Sequence, residues 1–123
     1  MPIQSAEVRA QRMITKAFID ADSLEVVLYR AGKLSDGAGG VVEGSPSPLP
    51  PQVLRLIPLA DGSDERFTAD GKAVRPTYML QGMFDADIER FDTFTHRGSR
   101  FEVVFVNENR QYQVKAEVVY RGQ

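Results

Sequence analysis

The sequence predicts a mainly β fold: a small, partly open antiparallel β-barrel with an N-terminal helix and two long loops. Three observations lead to it. Only residues 5–20 combine helical length with helical apolar spacing. Residues 112–121 alternate strictly, with Tyr112, Val114, Ala116, Val118 and Tyr120 against Gln113, Lys115, Glu117 and Arg121, as a strand with one core face and one wet face does. Between these segments, short runs of strand formers are separated by stretches rich in glycine, proline and charge. Residues 1–22 then form a helical arm and residues 23–123 a single barrel domain, within the usual domain size.

In the helix, Ser5 is placed to cap the N-terminus and Glu7 lies in the electropositive first turn. Val8, Ile14, Ala17 and Phe18 form its expected apolar face, which has to cover a barrel end or pack on a neighbour. Residues 24–30 read as the first strand. Residues 31–52 contain Gly37, Gly39 and Gly40 and prolines including Pro46 and Pro48, which argue against a regular ladder; Val41 and Val42 extend at most a ragged edge. Residues 53–59 form the next strand, with an edge position expected near Pro58. A polar excursion, residues 60–76, precedes a strand over 77–84 and an acidic connection over 85–92. Residues 93–97 and 100–107 form a hairpin turning at Gly98-Ser99, and residues 112–121 close the domain. The count is five or six strands in an antiparallel barrel.

Composition narrows the function classes. Fifteen Lys and Arg face seventeen Asp and Glu, so the basic excess that supplies a nucleic-acid binder's affinity is missing. There is no cysteine, which excludes disulfides, thiolate catalysis and cysteine-ligated zinc and suits a reducing compartment. No apolar run approaches the roughly 20 residues of a membrane span. Glu7, Arg9, Arg12 and Lys16 interrupt the N-terminal region in a way no signal peptide does. The expectation is a soluble, unexported protein without a membrane partner.

No catalytic constellation stands out, and neither an enzyme activity nor a cofactor is expected. His96 is the only histidine and sits on a hairpin flank beside Arg97, a surface position. Asp85, Asp87, Glu89 and Asp92, offset by Arg90 alone, give residues 85–92 a net charge of −3. Their spacing echoes the start of a calcium loop, but Arg90 stands where that loop needs glycine and His96 where it needs glutamate. A turn cap or an intersubunit acidic patch fits better. The glycines of residues 37–40 are followed by prolines and not by the helix N-terminus a phosphate cradle requires. Residues 60–76 hold Asp61, Asp64, Glu65 and Asp70 against Arg66, Lys72 and Arg75, with Phe67 and Val74 as the sizeable apolar residues. An ordinary solvated loop and a mobile segment reaching another subunit both remain open there.

Taken in order, residues 24–30, 36–43, 54–59, 87–92, 95–103 and 112–118 resemble the head-tail joining family of tailed bacteriophages, which includes head-closure or stopper proteins. The resemblance lies in the succession and spacing of these segments, covers residues 24–122, and includes no catalytic signature. Phe91 stands where family members commonly carry a small residue, often glycine.

The resemblance implies a structural virion protein of the phage neck, assembled in the host cytoplasm as a homo-oligomeric ring, a dodecamer in such proteins. The ring docks between the portal–adaptor complex and the tail terminator or tail tube, closes the channel and retains packaged DNA. It further implies that the excursion after the second barrel strand projects into the channel. On this chain those residues are Asp61, Gly62, Ser63, Asp64, Glu65, Arg66, Phe67, Asp70, Gly71 and Lys72. Gly37, Gly39, Gly40, Val41, Val42, Pro46 and Pro48 would then meet a neighbouring ring or the tail, and Asp85, Asp87, Glu89 and Asp92 another subunit. Mixed charge in the channel loop suits loose, non-specific contact with DNA that must slide past. An adaptor or tail-terminator role is the nearest alternative. An OB-like module for single-stranded nucleic acid is a further one, thinly supported by five bases against three acids over residues 97–121. A hydrolase built on His96 and the acidic turn is the third.

Overall fold

The computed structural model describes residues 5–35, 41–59, 64–107 and 110–122. It is mainly β, a partly open antiparallel barrel that curls through 258° and is preceded by one helix. Helix α1 (Ala6–Ala21) starts where Ser5 Oγ accepts a hydrogen bond from the Val8 N–H at 3.1 Å. It lies against strands from the middle of the chain, but not with the expected face. Thr15 and Ile19 are its buried residues, whereas Met13, Ile14 and Phe18 are 73%, 61% and 45% exposed. The side toward the barrel is partly polar: the Arg12 guanidinium lies over the Phe84 ring, and Arg55 donates to the Phe18 carbonyl at 2.8 Å.

The strands are β1 (Leu24–Val26), β2 (Tyr29–Ser35), β3 (Val41–Pro48), β4 (Gln52–Pro58), β5 (Arg66–Phe67), β6 (Ala73–Val74), β7 (Tyr78–Met83), β8 (Thr93–His96), β9 (Ser99–Val106) and β10 (Gln113–Gly122). Eight form one sheet in the order β1-β4-β7-β10-β9-β8-β2-β3; β5 and β6 pair separately. β1 and β2 are consecutive in sequence yet sit near opposite ends of the sheet. The expected first strand is therefore bent at Val27–Leu28, pairing with β4 on one side and meeting β8 on the other. That bend lets one stretch of chain serve both sides of the partly open barrel.

Both long connections carry strands of their own, which corrects the irregular reading of residues 31–52 and 60–76. β2 and β3 form a ladder from Tyr29↔Pro48 to Ser35↔Val41, with an irregularity between Ala31 and Lys33. Prolines 46 and 48 fit because β3 is an edge strand. Leu49 N–H donates inward to the Leu28 carbonyl at 2.8 Å, so the even-numbered positions direct their missing N–H outward, where no partner needs it. The hairpin joins the rest of the sheet through the single pair Tyr29↔Thr93. It is an arm leaving the barrel.

The core is Val26, Leu28, Leu54, Leu80, Ile88, Phe94, Phe101, Val103, Val106, Val114, Ala116 and Val118. Phe101 is its aromatic centre, stacked on Phe94 at 5.1 Å and edge-on to Tyr78 at 5.5 Å. The alternation in β10 continues to Tyr120 even though the register with β9 shifts between Glu117 and Val118. Tyr120 pairs with Phe101 and lies edge-on to its ring at 6.0 Å, so it keeps the expected face while 52% exposed; Val119 pairs with Glu102 on the opposite face and is buried there. The β8–β9 turn falls at Arg97-Gly98, one residue earlier than expected, because both residues take the positive φ (51° and 79°) that a two-residue hairpin turn requires.

Gly82 shows how tightly β7 is packed. A Cβ there would lie 2.6 Å from Ala86 Cβ and 2.7 Å from Leu54 Cδ2, whereas one on Gly32 meets nothing within 4 Å. Gly82→Ala should destabilise by about 1–3 kcal/mol through overpacking. Gly32→Ala should stay within about 1 kcal/mol of the parent. Urea denaturation distinguishes them; equal midpoints for the two variants would refute the packing argument.

Candidate functional site

Asp92 is the most constrained carboxylate among the described residues, with its side chain 1% exposed. It follows a tight turn in which Phe91 adopts φ 75°, a left-handed conformation that costs a non-glycine residue roughly 1 kcal/mol. The turn is held because Phe91 N–H donates to the Val103 carbonyl and Val103 N–H donates to the Asp92 carbonyl at 2.8 Å. Asp92 Oδ2 also accepts from the Glu89 N–H at 2.8 Å, closing the turn on itself.

Into this turn reaches Arg30, the second residue of β2. Its Nε donates to Asp92 Oδ1 at 2.9 Å and its Nη2 to Asp92 Oδ2 at 2.8 Å, a planar two-bond fork. Asp87 at 3.0 Å and Glu89 at 3.2 Å complete the surroundings. The Asp92 hydrogen bond raises the Arg30 pKa against the opposing cost of burial, so the guanidinium stays charged throughout. Three of the four acids expected to form an open intersubunit patch are thus gathered around one cation of the same chain; Asp85 is exposed and outside the cluster. The Gln52 side chain fixes the other flank, donating to the Asp87 carbonyl at 2.9 Å and accepting from the Asp87 N–H at 2.8 Å. Among the described residues no group of carboxylates or histidine is arranged to hold a metal ion.

The segment that the resemblance places in a channel packs, where it is described, against the barrel of its own chain. Asp61, Gly62 and Ser63 lie outside the described residues. From Asp64 onward the chain forms the β5–β6 hairpin, seated over β9 and β10 with Thr68 2% exposed. Arg66 makes a two-bond ion pair with Glu117 at 3.2 Å while its guanidinium lies 3.8 Å from the Phe105 ring centroid. The Glu117 hydrogen bond raises the Arg66 pKa. At the tip, the Ala69 N–H donates to Glu102 Oε2 at 2.8 Å, and Asp70 is held by the Thr68 hydroxyl and by Arg121 at 3.3 Å. Gly71, at φ 84°, makes the turn; Lys72 is exposed. Docking of this hairpin explains why Glu102 and Val104, on the outer side of β9, are buried along with the inward Phe101 and Val103.

Of the expected contact loop, Gly37, Gly39 and Gly40 lie outside the described residues. Val41 and Val42 pair with Ser35 and Leu34 in the arm, and Pro46 and Pro48 are exposed along its edge. His96 sits opposite Ser99 in the β8–β9 hairpin, and no carboxylate is bonded to it among the described residues. Aromatics suited to stacking bases are scattered: Phe94 and Phe101 are in the core and Phe105 lies beneath Arg66.

Sequence reasoning missed Arg30, Glu102 and Glu117 as anchors. The lone signal was a run of −3 charge that a nearby cation had to answer. No family model and no curated protein matches the chain.

Removing Arg30 should release the arm before it unfolds the barrel. In Arg30→Met, amide exchange over residues 29–48 should rise at least about tenfold while the β9–β10 ladder changes far less, as expected of local opening. Uniform acceleration across both regions would contradict this. The hairpin has its own pH signature. The Thr68 hydroxyl, aided by Arg121, holds the Asp70 carboxyl below its ordinary value of 3.8. Its contribution is therefore complete above that ordinary value and is lost as pH falls through the lowered one. Protease cleavage near residues 64–76 should accelerate only below pH 3.8 in the parent, and Asp70→Asn should remove that step. An unchanged profile in the variant would assign the step elsewhere.

Proposed function

We propose that this chain is a structural virion protein of the head-closure kind, forming a ring in the phage neck between the portal–adaptor complex and the tail. The observation that carries the reading is the β2–β3 arm: a two-stranded ladder that leaves the barrel through the single pair Tyr29↔Thr93 and is fastened by Arg30. Such an arm gives a lone domain little burial and exposes strand edges, a hazard in a monomer and a pairing surface in an assembly. Two further features support it. Each stretch of the resemblance within the described residues falls on a barrel strand, on the arm or on the Asp87–Asp92 turn. The left-handed φ of Phe91 also marks a backbone position suited to the glycine that family members carry there.

In this reading the ring closes the bore around DNA without gripping it. The docked β5–β6 hairpin commits Arg66 to Glu117 and leaves Asp64 and Glu65 exposed, so it offers little cationic charge for phosphates to bind. Retention then comes from many weak contacts repeated around a ring. The arm supplies the docking surface for a neighbouring ring or the tail.

Particles assembled without this protein should package DNA and then lose it, leaving heads whose genome is open to nuclease and which fail to join tails. Normal infectious particles in its absence would refute the proposal. Submicromolar, salt-dependent binding of a single-stranded oligonucleotide would favour the OB-like alternative instead.

A further inference from the structure

The seam between α1 and the barrel crosses neighbouring strands. Arg55 of β4 lies opposite Gln81 of β7, and Gln81 in turn lies opposite Lys115 of β10. Residues directly opposite in a ladder share one face of the sheet. Leu54 and Leu80, their chain neighbours, point into the core, so the row lies on the outer face, where α1 packs on β4 and β7. Arg55 reaches the helix: its Nη1 donates to the Phe18 carbonyl at 2.8 Å, and its guanidinium lies 3.9 Å from the Phe18 ring centroid. Gln81 reaches β10, its Nε2 donating to Gln113 Oε1 at 2.7 Å.

Two atoms of this row lack a hydrogen bond among the described residues, and they are of opposite kind. Arg55 Nε is a donor, Gln81 Oε1 is an acceptor, and both are buried. Gln81 as a whole is only 6% exposed. A buried polar atom without a partner is costly, and native structures rarely leave one. Cross-strand partners hold their Cβ atoms about 5 Å apart. Yet these two atoms do not bond each other.

We propose that a water molecule is bound between them, accepting from Arg55 Nε and donating to Gln81 Oε1. The chemistry of the row selects this ligand. A cation would satisfy the acceptor but face both Arg55 and Lys115. An anion would satisfy the donor but face the Gln81 carbonyl oxygen. Water both accepts and donates, and two polar partners are enough to hold one. Bound there, it completes a polar chain from the Phe18 carbonyl through Arg55 and Gln81 to Gln113. The C-terminal half of α1 is thereby tied to three strands, and Arg55 is held in the orientation that caps the Phe18 ring. The site does not depend on the ring reading.

Magnetic relaxation dispersion of the water oxygen counts long-lived waters, and the full chain serves as the sample. Gln81→Met keeps an apolar stem of similar length but removes the acceptor, and should lose one such water relative to the parent. In the parent, the Arg55 Nε proton should show a nuclear Overhauser effect to water with the sign of a bound molecule. That readout stands even where the variant fails to fold. Amide exchange over residues 15–21 should rise about tenfold in Gln81→Met while the β9–β10 ladder changes far less, because the variant strands the Arg55 donor. Equal counts of long-lived waters in the parent and the folded variant would overturn the proposal, as would an Arg55 Nε proton with no bound-water contact. Chloride line broadening by the parent that vanishes in Gln81→Met would also overturn it, by making the ligand an anion.

Discussion

The fork between Arg30 and Asp92 decides how this structure is put together. A carboxylate with a 1% exposed side chain is tolerable only because a guanidinium meets it through two parallel hydrogen bonds and the Glu89 N–H supplies a third. The fork joins residues 62 positions apart, and it lies beside the single strand pair that attaches the β2–β3 arm. The geometry of the arm relative to the barrel depends on this one contact more than on apolar packing. Placing it there costs stability elsewhere, visible in the left-handed Phe91 at the turn.

The same economy recurs on the other walls. The β5–β6 hairpin is held by Arg66, Glu102, Glu117 and Arg121, with Thr68 and Pro76 as its buried residues. α1 rests on the barrel through Ile19, Thr15 and polar neighbours; Arg55 Nε and Gln81 Oε1 are buried without hydrogen-bond partners among the described residues. Elements fastened by directional polar contacts can leave apolar side chains exposed, as Met13, Ile14 and Phe67 are. A barrel wrapped in such elements is suited to assembly, in keeping with the neck-ring reading, and β10 is the shared wall against which its parts are ordered.

Much of the fold was legible. Periodicity in residues 112–121, the helix with its Ser5 cap, and the strand-turn rhythm between them gave the class and the order of elements. The arm was not legible, because glycine and proline counts disfavour strands in general yet are harmless on an edge whose outward N–H groups need no partner. The docked hairpin was hidden for a different reason. Strands of two residues carry no period, and the acids that hold it, Glu102 and Glu117, alternate as ordinary wet-face residues would. The helix was partly legible: its apolar stripe was real, and of the two outcomes its sequence allowed, covering the barrel or packing on a neighbour, the first does not occur, since Met13, Ile14 and Phe18 are exposed. The candidate site was half visible, since the acidic run was evident while its cation lay in a strand far away in sequence.

The claim that the fork governs the arm is tested most directly by a double-mutant cycle on Arg30→Met and Asp92→Asn. The account predicts a coupling free energy of at least about 2 kcal/mol, because either single change strands a half-buried or buried partner. Additivity within about 0.5 kcal/mol would contradict it, leaving the arm to be held by something other than this pair.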